Sequence, residues 1–177
     1  AAGADPEAVA AEVGAYVAGL LGLVGIDADP LSSREHILLS TLVHAAWDAG
    51  TDLDLPGLVA QVRTPPIRTV GVFDLEEFFP AADRTELALA LNGLLASPTF
   101  AAWRQGVPVD LDALLRPEGR PACAVVSVAH LDDAERQLVV SLLLSKLLTW
   151  MRAQPGTERL RALVYFDEVA GYVPPTA

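Results

Sequence analysis

Two short runs of small, β-branched and aromatic residues, Ala122 to Ala129 (ACAVVSVA) and Leu160 to Phe166 (LRALVYF), flank a continuous helical pattern from Asp132 to about Ala153. A short apolar run bounded by turn residues reads as a strand buried on both faces. Two such strands joined by a helix are expected to lie parallel in one sheet, connected by a right-handed crossover. The predicted fold class is therefore α-rich α/β: a helical bundle followed by a βαβ unit. The polar, turn-rich stretch Arg116 to Pro121 (RPEGRP) marks a boundary near residue 117.

The residues before that boundary predict helices. Asp5-Pro6-Glu7 combines an N-cap, a first-turn proline and a first-turn acid, and Val9, Val13, Val17 and Leu20 follow at helical spacing until about Gly25. Ser32 to Glu35 has the pattern of a capping box, and the helix it opens carries Ile37, Leu38, Leu42, Ala45 and Ala46, with Gly50 placed to end it. Asp54-Leu55-Pro56 starts a third helix that Pro65-Pro66 stops. Asp74 to Pro80 predicts one helical turn with Phe73, Phe78 and Phe79 as anchor. Asp83 is the expected cap of a helix from Arg84 to Ala96. Ser97-Pro98 opens a short helix ending near Gly106, and Asp110 caps a turn at Leu111 to Leu115.

In an open parallel sheet, ligands bind outside the C-terminal ends of the strands. The predicted topology puts Asp167 and Glu168 at that end of the second strand and His130 at the equivalent end of the first. An adjacent Asp-Glu pair suits phosphoryl transfer: one carboxylate holds a hydrated Mg²⁺ and the other polarises the attacking water.

The sequence LVYFDE resembles a Walker B motif of the P-loop ATPases, and its continuation VAGYVPP resembles the downstream-proline pattern of the HerA/FtsK-type motor ATPases. Ser127 to Leu131 and the helix from Asp132 extend that resemblance over about residues 120 to 177. It implies that residues 117–177 are a βαβ segment of a RecA-like core and that residues 1–116 are a helical insertion between Walker A and Walker B. It also implies that Asp167 acts through water on Mg²⁺ and that Glu168 activates the water attacking ATP; His130 is a candidate nucleotide or substrate contact, with a polar strand-end residue of no chemical role as the plainer reading. The chain departs from the family in one respect: no G-x-x-x-x-G-K-[ST] occurs in it. Arg116 and Arg120, beside the glycine-containing turn, are not in a P-loop context. The resemblance thus implies a segment, inactive alone, of a larger ATPase that moves DNA or another polymer, with the P-loop upstream and further strands downstream.

Composition supplies exclusions. The net charge of −11 opposes direct binding to phosphate backbones, and the basic residues form no run. The most apolar stretch, Leu138 to Met151, contains Lys146 and is shorter than the roughly 18 uninterrupted apolar residues of a spanning helix. No membrane partner is therefore expected, the absence of a basic n-region speaks against a secretory signal, and the use of one cysteine fits a cytoplasmic location. The single cysteine, Cys123, excludes a disulfide framework and is expected buried in the first strand.

Other residues have plainer expectations. His36 and His44 lie eight apart on one helix, not the four of a metal-binding pair. Ser127 lacks the setting of a nucleophile elbow. Trp47, Trp103 and Trp150 are expected in packing, and Arg136 on a solvated helix face, with an arginine-finger role as the alternative.

A second function class stays open: an acidic helical module that docks a protein partner without nucleotide chemistry. An apolar content of 52% is above the roughly 45–50% usual for a soluble domain, which suits apolar surface meant for a partner or for other parts of the same protein, and two strands without sheet neighbours predict self-association, or a helical part folded over them.

Overall fold

The computed structural model describes residues 6–98, 100 and 107–167. The helices are α1 (Pro6–Leu23), α2 (Arg34–Asp48), α3 (Leu55–Arg63), α4 (Leu75–Phe78), α5 (Ala81–Ala96), α6 (Leu111–Leu115) and α7 (Asp133–Ala153). Two-residue strands, β1 (Thr69–Val70) and β2 (Phe73–Asp74), pair antiparallel around Gly71. Gly71 has a φ of 60°, which a side chain at this turn would make costly.

Local chemistry accounts for the helix ends. Asp54, Asp74, Asp110 and Asp132 each cap a helix by accepting backbone N–H groups on the side chain. Gly25 and Gly50 adopt positive φ just after α1 and α2. At both ends the next residue donates back into the helix, Ile26 N–H to the Leu21 carbonyl and Thr51 N–H to that of Ala46, each at 3.0 Å. These are Schellman closures, which use carbonyls the helix leaves unpaired.

Two starts differ from expectation. The helix after Ser32 begins at Arg34 with Ser33 as N-cap, one residue late for a capping box, so Glu35 falls in the second position instead of the third. Asp29 holds this corner instead, accepting from Leu31 N–H, Ser32 N–H and the Ser32 hydroxyl, all at 2.9 Å. Those bonds, the hydroxyl first, hold the Asp29 carboxyl below its ordinary range. α5 starts at Ala81 after Pro80, placing Asp83 in the first turn, where it pairs with Arg34 at 3.2 Å.

The contiguous core is drawn from Val13 to Leu91. Val17 and Leu21 of α1, Leu38, Leu39 and Leu42 of α2, Leu58 and Val62 of α3, Phe79, and Leu91 of α5 are fully enclosed. Phe79 is the predicted anchor, with the Arg34 guanidinium 5.0 Å above its ring, whereas Phe73 is exposed. Arg84 fastens the α4 turn beneath it. Only 4% exposed, it donates to the Phe79 carbonyl and to the Glu76 carboxylate, while its Nε–H is buried without a partner.

α1 has a second neighbour on its other side. α7 packs along it antiparallel: Gly19 meets Leu138, and about two turns earlier Glu12 takes Lys146 Nζ at 3.0 Å and the Thr149 hydroxyl at 3.4 Å. Burial on two sides explains why α1 is apolar around most of its circumference. Among the described residues it is also the helix long and apolar enough to cross a membrane by length and composition, yet Val13, Val17, Leu20 and Leu21 are spent in the core.

The parallel βαβ unit is not formed by these residues. Segments 122–129 and 160–166 carry no strand pairing, and the antiparallel β1–β2 pair is the one sheet among the described residues. Val125 is 87% exposed, Leu160 81% and Tyr165 83%. Cys123, expected in a buried strand, is exposed. The cause is missing cover: a parallel strand needs neighbours on its edges and layers on both faces. The nearest helix, α7, has given one face to α1 and leaves Leu144, Leu148 and Met151 open.

A Cβ on Gly19 would overlap the Leu138 side chain and stand 3.4 Å from its Cα. Gly19→Val is expected to cost about 1–3 kcal/mol by forcing α1 and α7 apart. Gly14→Ala, whose Cβ meets nothing within 4 Å, should gain about 0.5–1 kcal/mol. Urea midpoints of the two variants check both signs.

Glu76 gives a pH test. The hydrogen bond from Arg84, then the one from Ala81 N–H, holds its carboxyl below the ordinary value. A depressed folded pKa contributes stability above the unfolded pKa and loses it as pH falls through the folded one. Glu76→Gln should therefore lower stability at neutral pH and flatten the acid limb of the stability curve. Identical acid limbs in the two proteins would contradict this linkage.

Candidate functional site

Asp167 closes the described part of the apolar run 160–166 and is exposed. Phe166, immediately before it, is half-buried. Glu168, the second member of the predicted pair, lies outside the described residues, as do Trp103 and most of the helix expected after Pro98. His130 sits in the turn before α7 and is exposed, with no hydrogen bond or ion pair to the described residues. Nothing in the described contacts joins it to Asp167.

The start of α7, by contrast, is tightly organised. Asp132 accepts from Glu135 N–H at 2.9 Å and Glu135 accepts from Asp132 N–H at 3.1 Å, a complete capping box. Arg136 folds back over this corner, donating to the Leu131 carbonyl at 3.0 Å and pairing with Asp133 at 3.5 Å. Its Nε–H is buried without a partner. The guanidinium therefore helps fix the loop between His130 and α7 and does not lie free on a solvated helix face.

The remaining candidates resolve into structure. His36 is buried between α1 and α2, its Nε2 3.4 Å from the Gly14 carbonyl and its Nδ1 3.3 Å from the Ser40 hydroxyl. Both ring nitrogens are occupied, and His44 two turns on shares no partner with it. Among the described residues no group of three or more His, Cys, Asp or Glu could hold a metal ion. A single carboxylate such as Asp167 still matches the way Mg²⁺ is commonly held, by one or two carboxylates together with substrate phosphates and water.

A feature that sequence reasoning missed lies at the other end of α7. Trp150 Nε1 donates to Asp112 at 2.9 Å, which pins α6 beside the C-terminal end of α7. This brings Arg116 next to the turn that follows α7, and a cavity of about 350 Å³ opens between them. Arg116, Gln154, Thr157, Arg159 and Arg161 line it. The only signal in the sequence was Arg159 and Arg161 just after Gln154-Pro155-Gly156. Arg116 is distant in the chain, and its place beside the glycine-containing turn gave no sign of this grouping.

Comparison of the chain with protein-family models, with curated proteins and with solved structures gives no match.

The exposure of segment 122–129 predicts that Cys123 reacts with a disulfide reagent in the native protein, one thiol per chain, at a rate little changed by denaturant. A thiol released only on unfolding would mean that this segment is buried in solution.

Proposed function

We propose that the chain is part of a P-loop motor ATPase of the HerA/FtsK type, in which Asp167 and Glu168 form the Walker B pair. One observation carries this reading. Two β-branched, apolar segments flank a long helix, and among the described residues both are largely exposed and neither belongs to a sheet, as strands would be without the rest of their sheet.

The direction of the chain agrees. The Trp150–Asp112 bond starts the 117–131 connection beside the C-terminal end of α7, and it must reach Asp132 at the other end. Segment 122–129 therefore runs opposite to α7, as the first strand of a βαβ crossover does. The open face of α7 at Leu144, Leu148 and Met151 has the spacing of a helix that packs on a sheet. In the completed fold these residues would cover one sheet face.

On this reading Asp167 is the residue that holds hydrated Mg²⁺, and Glu168 orients and deprotonates the water that attacks the γ-phosphate of ATP. Mg²⁺, when bound, offsets charge on the phosphate oxygens. The phosphate-cradling loop is assigned to another part of a longer protein, and residues 1–116 to a helical insertion. Coupling to DNA belongs to that whole assembly, formed as a ring of like subunits in the cytoplasm.

A second reading is favoured by a different observation. The core from Val13 to Leu91 draws none of its members from residues 117–167. A helical module so enclosed could dock a protein partner with no nucleotide chemistry.

The test is Mg²⁺-dependent ATP hydrolysis by the protein extended in both directions along its gene, with and without Glu168→Gln. Loss of a general base is expected to lower the rate by about 10²-fold or more. The 177-residue chain should be inactive beside it. Equal rates for the wild type and Glu168→Gln, or hydrolysis by neither, would transfer the assignment to the helical module.

A further inference from the structure

From the cavity at the C-terminal end of α7 we infer a second site, independent of the Walker B assignment, that binds a small phosphate-bearing anion through Arg116, Arg159 and Arg161. Three guanidinium groups share one concavity of about 350 Å³, and no carboxylate lines it among the described residues. That volume lies within the roughly 300–1,000 Å³ range of small-molecule pockets.

The arginines differ in their commitments, and this gives the site its form. Arg161 donates to the Gln154 side chain at 3.0 Å and to the Pro155 carbonyl. These bonds hold its guanidinium at the turn and leave further N–H groups free, since arginine has five. Arg116 and Arg159 make no side-chain hydrogen bond or ion pair among the described residues. Arg120, the other arginine of the same loop, is taken by Glu118 at 2.6 Å and is not part of the lining. The Thr157 hydroxyl accepts from Arg159 N–H at 3.1 Å, which fixes the turn that leads into Arg159.

The ligand class follows from charge and geometry. One carboxylate is satisfied by one guanidinium fork. Three guanidinium groups around a single cavity match an anion with more charge and more acceptor oxygens, as in phosphate and pyrophosphate groups.

The acidity of the protein does not defeat this. Seven of the 12 basic residues fall between Arg116 and Arg161, against five of the 23 carboxylates, so this stretch is locally basic within a chain of net charge −11. At physiological salt the screening length is about 8 Å. Carboxylates beyond that distance contribute little at the cavity, and of those near it in the chain Asp112 accepts from Trp150, Glu118 pairs with Arg120, and neither they nor Glu158 line it.

The experiment titrates the 177-residue chain with pyrophosphate, ADP and citrate at low salt, using calorimetry and the arginine Nε–H signals. Pyrophosphate is expected to bind at one site, and Arg159→Gln or Arg116→Gln should weaken it by about tenfold or more, the worth of a charge-assisted hydrogen bond. Neither substitution removes a structural contact, so circular dichroism should be unchanged. Arg63→Gln, at a cavity between α3 and α5, should bind as the wild type does. Pyrophosphate and ADP binding alike would identify the phosphate groups as what is recognised. A much tighter ADP would make a nucleotide the source of those phosphates. No binding of either, binding unchanged by both cavity substitutions, or citrate binding as tightly as pyrophosphate would overturn the assignment.

Discussion

The contact between α1 and α7 is the joint on which the architecture depends. α1 touches both the enclosed core and α7: Val17 and Leu21 lie in the core, while Gly19 and Glu12 meet α7. The lack of a side chain at Gly19 lets Leu138 pack against the α1 backbone. Glu12, with little exposure, is placed where Lys146 and Thr149 both reach it. Such a partly shielded pair contributes more to orientation than to net stability, because desolvation offsets much of the attraction. Packing supplies the affinity between the helices, and the polar triad sets their register.

That joint also determines what α7 can offer on its far side. With one face committed to α1, its remaining apolar stripe and the two flanking segments form a surface that the described residues do not cover. The Trp150–Asp112 bond then fixes α6 against the end of α7, and so decides both the course of the 117–131 connection and the grouping of the three arginines. Two polar contacts, each involving a helix end or a helix flank, thus tie α7 to α1 and α6 to α7.

Helix boundaries were legible in the sequence because capping is local. Asp54, Asp74, Asp110 and Asp132 each cap the helix their position predicted, and Gly25 and Gly50 end α1 and α2 by the same short-range geometry. A shift of one residue at Ser33 was enough to replace the capping box with the Asp29 corner. The β-branched runs gave a strand signal, but pairing requires partners that propensity does not provide. Hence Cys123 and Val125 are open where burial was expected. For the candidate site, the sequence marked Asp167 and His130 by position alone. The arginine cavity was invisible because its parts meet only through the length of α7 and one indole hydrogen bond.

The pairing of Glu12 with Lys146 spans 134 residues of chain. During synthesis the core of α1, α2, α3 and α5 is complete long before α7 leaves the ribosome. At roughly 5–20 residues per second, the α7-facing side of α1 stays bare for on the order of ten seconds. The nascent protein therefore passes through a stage in which its interior is already set while one flank of its first helix is open to any apolar surface nearby. The small residue at Gly19, which later admits Leu138, also limits how much apolar area that flank displays in the interval.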